Sequence, residues 1–142
     1  MATIDLYLKF PGTAEEAFDF YKSLFGGEYL SLQRYRDIPG GKNMQSDIQE
    51  KIKHISLPIG FENVLMASDA IDSMGHPLTI GNNFYINVNV DSKEEANRLF
   101  AGLSDSGRIE MKLSEMFWGA YYGVLVDKFD IQWMISYENQ KD

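Results

Sequence analysis

Two stretches of the chain alternate strictly between apolar and polar residues. In the first, Ile4, Leu6, Leu8 and Phe10 fall on one side and Asp5, Tyr7 and Lys9 on the other. In the second, Phe84, Ile86, Val88 and Val90 oppose Tyr85, Asn87 and Asn89. A period of two predicts a half-buried strand. After a short turn each stretch changes to a period near 3.6: Ala14, Ala17, Phe18, Tyr21 and Phe25 in one case, Ala96, Leu99, Phe100 and Leu103 in the other. That spacing predicts an amphipathic helix with one apolar stripe. Both predicted helices open on Glu-Glu-Ala, at Glu15 and again at Glu94, so the chain reads as an internal repeat.

The predicted helix boundaries have their own chemistry. Thr13 stands three residues before Glu16, and Ser92 three before Glu95. Each pair has the spacing of a capping box, in which hydroxyl and carboxylate satisfy backbone N–H groups at the helix start. Gly26-Gly27 should end the first helix, and the stretch Ser104 to Gly107 the second. Strands are then expected at Glu28 to Tyr35, Ile52 to Ile59 and Asn63 to Ser68, the last two joined by the turn Gly60-Phe61-Glu62. The second half repeats this with Arg108 to Leu113, Ala120 to Asp127 and Ile131 to Tyr137, and a tight turn at Lys128-Phe129-Asp130. Each half is strand, helix and three strands: an α+β chain of two βαβββ modules, module one over 1–70, a linker over 71–82 and module two over 83–138. The polar loops 36–51 and 69–82 are long enough to carry function, and 138–142 reads as a frayed tail.

The apolar strand faces should pack on the helices, which leaves the opposite faces open. These carry Tyr and Asn where an ordinary solvated surface carries Lys and Glu. Two readings stand. One is a wet outer face; the other is a curved mixed sheet around an aromatic-lined cup for a small molecule, with helices on the outer face.

Composition narrows the partners. At 142 residues the chain makes one domain or two small halves, and its 44% apolar content is ordinary for a globular protein. A net charge of −8 argues against nucleic acid or an anionic membrane surface, which require a basic footprint. The absence of cysteine excludes disulfides, thiolate catalysis and iron–sulfur clusters. No run approaches the roughly 18 apolar residues of a membrane span, and Met1-Ala2-Thr3-Ile4-Asp5 lacks a signal peptide's pattern. The expectation is a cytoplasmic protein with no membrane partner.

At this point the chain resembles the vicinal oxygen chelate superfamily of glyoxalases, extradiol dioxygenases and bleomycin and fosfomycin resistance proteins, and within it the PhnB-like branch. The resemblance is carried by Tyr7-Leu8-Lys9-Phe10, Glu15-Glu16-Ala17, Phe20-Tyr21, Phe25-Gly26-Gly27, His54, Leu65-Met66-Ala67-Ser68-Asp69, Phe117-Trp118-Gly119, Tyr122-Gly123, Asp127-Lys128-Phe129 and Trp133-Met134-Ile135. Together these touch nearly the whole chain. It departs from the branch at Asp130, where glycine is usual; Asp tolerates a positive φ better than most residues.

The resemblance implies paired βαβββ modules and, in metal-using members, four ligands from the first and last strands of each module. Those places fall on Asp5, Met66, Tyr85 and Met134. Only Asp5 suits a hard or borderline divalent ion, so no family-type metal site and no cofactor are expected. Some members carry a methyltransferase label. The glycine pairs Gly26-Gly27 and Gly40-Gly41 lie after a helix and within a polar loop, not after a first parallel strand where a nucleotide-type cofactor would rest. The expected ligand-binding residues are Asp5, Tyr7, His54, Met66, Tyr85, Asn87, Trp118, Tyr122 and Met134, with no catalytic residue assigned.

Alternatives stay open at several positions. His54 is a titratable candidate or a structural histidine bonded to a neighbouring carbonyl; His76, in Gly75-His76-Pro77, reads as exposed. Phe117, Trp118, Tyr121, Tyr122 and Trp133 are core packing or include a stacking wall of Trp118 and Tyr122, with Met44 and Met66 as its adaptable part. Asp69 and Asp127 read as turn caps. The expected partners are a small-molecule ligand and a second copy in a homodimer, because the last strand is apolar enough on both faces to need a cover. The competing expectation is an enzyme of the superfamily, metal-dependent or using Asp5, His54 and Tyr85 as acid–base groups.

Overall fold

The computed structural model describes residues 1–138. The chain divides into two units, Met1–Thr79 and the remainder from Ile80. Among the described residues the first unit contains strand β1 (Leu6–Phe10), helix α1 (Ala14–Phe25), β2 (Ser31–Arg34), a short helix α2 (Ser46–Gln49), β3 (Ile52–Ile59) and β4 (Asn63–Asp69). The second contains β5 (Ile86–Asn89), α3 (Lys93–Ser104), β6 (Arg108–Glu115), β7 (Ala120–Val126) and β8 (Gln132–Glu138). The strand order is β1-β4-β3-β2 in one four-stranded sheet and β5-β8-β7-β6 in the other. In both, the strand before the helix pairs parallel with the module's last strand, and the other pairings are antiparallel. The repeat read from the sequence is therefore a repeat of topology.

In the first unit Ala14, Ala17, Phe18 and Tyr21 of the predicted stripe of α1 are fully buried, along with Phe10, Ile55, Leu57, Leu65 and Ala67 from the sheet, while Phe25 at the helix end is half-buried. The rings of Phe10 and Phe18 meet edge to face at 6.3 Å, a favoured aromatic arrangement. Gly26 and Gly27 end α1 at φ 82° and 86°, a region that glycine enters without a Cβ clash. In the second unit α3 buries Ala96, Leu99, Phe100 and Leu103 on a sheet face that includes Leu125, Trp133 and Ile135. Gly123 permits that approach: a Cβ there would stand 2.7 Å from Phe100 Cε2 and 2.9 Å from Leu113 Cα. The Lys128-Phe129-Asp130 turn holds Asp130 at φ 70°.

Several expectations change. Thr13 makes no side-chain cap; Asp69 Oδ1 accepts from Ala14 N at 2.9 Å in its place. A buried carboxylate from β4 reaches the helix start and replaces the local hydroxyl. Ser92 does cap α3, accepting from Glu95 N at 3.1 Å, while the Glu95 carboxylate accepts from Arg98 Nε at 2.9 Å. His76 is half-buried, with Nδ1 accepting from Ile71 N at 3.4 Å. The last strand needs no outside cover at its edges, because β8 lies between β5 and β7. Loop 36–51 is largely folded into short 3-10 turns and α2. Glu138, expected in the tail, ends β8, and the rest of that tail lies outside the described residues.

Candidate functional site

Each sheet packs one face on its helix; the opposite face, called open below, mixes exposed side chains such as Tyr7 with buried ones such as Ser56, Ser68, Val124 and Ser136, and register decides which of them are neighbours. In the first unit Tyr7 pairs with Met66, and Met66 with Ser56 on the next strand. Alternation puts His54 on the same face, with Gln33 beside it on β2. The Tyr7 hydroxyl lies 3.4 Å from His54 Nδ1, and the two rings are 5.8 Å apart. Lys9 Nζ donates to Ser68 Oγ at 2.8 Å and stands 5.8 Å from the centre of the Tyr7 ring. Asp5 precedes β1 by one residue, and its Oδ1 accepts from Val64 N at 3.2 Å. The strand thus brings Tyr7, His54 and Met66 together and sets Asp5 at the end of their face.

In the second unit Asn87 pairs with Met134, Met134 with Val124, and Ser136 with Tyr122. Tyr85 stands just before β5 on the same side as Asn87 by alternation. Its hydroxyl donates to Glu110 Oε1 at 2.8 Å. Because β5 and β6 are the two edges of this sheet, the pair crosses the open face above the central strands. Glu110 accepts this bond and so holds the Tyr85 phenol above its ordinary range, with desolvation in the same direction. Arg108, 3.7 Å from Glu110, opposes that shift, and Tyr122 adds to it. The Trp118 and Tyr122 rings are 6.0 Å apart at 63°, and Phe117 stands edge-on to Trp118 at 5.0 Å. Trp118 is 51% exposed, whereas Trp133 is fully buried.

The aromatic concentration therefore separates into two groups. Trp133 belongs to the core, and its Nε1 donates to Asp127 Oδ2 at 2.8 Å. Tyr121 donates to Asn97 Oδ1 of α3 at 2.7 Å. Tyr122 lies on the open face beside Ser136, and Trp118, in the turn between β6 and β7, packs against its ring. Met44 lies half-buried in the loop before α2. Glu110 and Arg108 were missed by sequence reasoning, because irregular register between Ile109 and Met111 breaks the alternation of β6. The signal that was available is their charge on a strand otherwise read only for its apolar residues.

These two modules can be set beside known proteins. The family model for 3-demethylubiquinone-9 3-methyltransferase matches residues 2–136. The chain belongs to this family, the PhnB-like branch of the vicinal oxygen chelate superfamily. Protein YjdN of Escherichia coli is 31% identical over 143 residues, covering 95% of each chain. Protein PA1353 of Pseudomonas aeruginosa has 35% identity and a TM-score of 0.86, covering 99% of this chain and all of its own. The PhnB protein of Bacillus cereus has 28% identity and a TM-score of 0.77, with coverage of 96% and 99%. Structures of the glyoxalase/bleomycin resistance/dioxygenase family share the fold.

Metal-using members of the superfamily make a test of the donor set worthwhile. The four places that the resemblance assigns to the ligands, two in each unit, hold two thioethers, a phenol bonded to Glu110 and a carboxylate bonded to Val64 N. Among the described residues no three His, Asp or Glu side chains come together in a metal-binding group. That set does not fit a hard or borderline divalent ion.

Proposed function

We propose that this PhnB-like protein binds a small planar organic molecule on the open face of its second sheet, with no family-type metal. The observation that carries the reading is the Trp118–Tyr122 ring pair, half-exposed at a face that also presents the Tyr85–Glu110 hydrogen bond. An aromatic wall beside a few convergent polar groups is the chemistry of a small-ligand site. Asn87 and Met134 lie side by side on the same face, one supplying an amide and the other an adaptable apolar surface. On the first sheet Tyr7, His54 and Met66 offer a smaller set of the same kind. Methyl transfer, the activity in the family's description, draws no support from the glycine pairs, which follow α1 and lie between β2 and β3.

The test uses the two tryptophans, of which only Trp118 meets solvent. Titration with a panel of planar heteroaromatic compounds should quench its fluorescence, and Trp118→Ala should weaken the binding of a compound that does so by about three- to tenfold. A panel that leaves the emission unchanged overturns the reading. So does a bound compound whose affinity ignores Trp118→Ala.

We also propose that the protein is a homodimer. Support comes from β6, an edge strand with Ile109 49% and Met111 44% exposed. A long unpaired edge carrying apolar side chains calls for a partner strand. A second copy supplies one without further machinery.

A further inference from the structure

The open face of the first sheet carries chemistry that planar stacking does not use. Lys9 is exposed on β1, and among the described residues its partners are the Ser68 hydroxyl and the Tyr7 ring, not a carboxylate. An ammonium has three N–H donors, and Ser68 takes one. The neighbours that register places around it are neutral hydrogen-bonding groups: Tyr7, with its hydroxyl 3.4 Å from His54 Nδ1, and Ser68. Asp5, the acid on this face, is at its far end, with Oδ1 engaged by Val64 N. Several other cations in the molecule are engaged by carboxylates. Arg34 pairs with Glu15, Arg36 with Glu50 and Lys93 with Glu115.

We propose that Lys9, with Ser68, Tyr7 and His54, forms a subsite for the carboxylate of a small organic acid. The ammonium, positioned by the buried Ser68 hydroxyl, supplies the charge; the Tyr7 hydroxyl and the His54 imidazole supply the directional hydrogen bonds that orient the carboxylate. A monoanion fits better than a phosphate for two reasons. The subsite offers one cation and no arginine fork, and a chain of net charge −8 repels a dianion more strongly than a monoanion. Strand geometry supports the assignment, because Lys9 and Tyr7 lie on one strand and Ser68 on its hydrogen-bonded neighbour, so the groups are held by backbone pairing. This inference stands independently of the aromatic wall on the other unit.

Acetate is the probe. In an NMR titration of the isotope-labelled protein at constant ionic strength, acetate should shift resonances of Lys9, Tyr7, His54 and Ser68 saturably. Lys9→Met should weaken that binding about tenfold, the loss expected for a charge-assisted hydrogen bond. Ser68→Ala should weaken it less, and Lys112→Met, on the exposed β6, should leave it unchanged. The amide spectrum of each variant reports its fold in the same experiment. Shifts spread over the surface without saturation overturn the proposal, as does full affinity in Lys9→Met. Inorganic phosphate shifting the same resonances more strongly than acetate overturns the carboxylate assignment.

Discussion

Asp69, at the end of β4, ties together three parts of the first unit. Its Oδ1 accepts from Ala14 N at 2.9 Å, its Oδ2 from Ile52 N at 2.8 Å, and its backbone oxygen from the Tyr35 hydroxyl at 3.3 Å. One side chain thus fixes the start of α1 and the start of β3 from the end of β4. A carboxylate suits the first position because the helix N-terminus carries partial positive charge. The residue is 1% exposed, so its removal strands two buried N–H groups. Asp69→Ala should cost about 3–5 kcal/mol of unfolding free energy in urea melts, and Asp69→Asn, which keeps one acceptor, distinctly less; a loss in Asp69→Ala below about 1 kcal/mol would contradict this account. The same logic separates the two helix starts. Ser92→Ala should cost about 1 kcal/mol, whereas Thr13→Ala should lose no cap energy, because Asp69 already serves α1. Equal losses at the two sites would show that Thr13 caps α1 in solution. The residue scale is also where sequence reading was weakest, since Thr13 and Ser92 stand in the same local pattern and only a distant carboxylate distinguishes them.

Between elements, the fixings are charged as well as apolar. Arg34 at the end of β2 holds Glu15 of α1 through two bonds, Nη1 to Oε1 at 2.9 Å and Nη2 to Oε2 at 2.6 Å, and its Nη1 also donates to the Glu50 backbone oxygen at 2.8 Å. The hydrogen bond from Arg34 keeps the Glu15 carboxyl below its ordinary range, against the opposing effect of burial, with the Arg34 charge acting in the same direction. Because the folded pKa is the lower one, the contribution is complete above the ordinary carboxylate range and fades as pH falls through the depressed value. Glu15 is 42% exposed in its side chain, so solvent screening limits the contribution to about 1 kcal/mol or less. Urea midpoints measured from pH 7 to pH 3 should fall less steeply in Arg34→Met than in the parent, and identical profiles would remove the pair from the account. The main elements were legible: α1 and α3 fall where the 3.6-residue stripe puts them and β3 has the predicted limits, whereas the short α2 lies in a predicted loop and β2 is shorter than predicted. The sheet position of the last strand was not. Apolar residues on both faces of β8 suggested an exposed surface needing cover, and the order β5-β8-β7-β6 makes it an interior strand. Composition along one strand cannot distinguish a missing partner from two present neighbours.

For the molecule as a whole the duplication is the organising fact, with matching strand orders in the two units and a family model that spans residues 2–136. The homodimer belongs to this scale. Light scattering at micromolar concentration should give twice the chain mass, and a paired Ile109→Lys, Met111→Lys variant should give the monomer, since charge on an edge strand blocks edge pairing. A parent protein that scatters as a monomer would end that proposal. Both modules, their helices and the composition of the open faces were written in the sequence, because periodicity of two or 3.6 follows from local backbone geometry and the repeat of that pattern follows from the chain alone. Tertiary structure decided what no local pattern encodes. It assigned the start of α1 to Asp69, divided the aromatics into buried Trp133 and half-exposed Trp118, and carried Tyr85 across the sheet to Glu110. Each of these depends on which strands become neighbours. Hydrogen-bond register sets that, joining residues far apart in the chain whose pairing no period of two or 3.6 specifies.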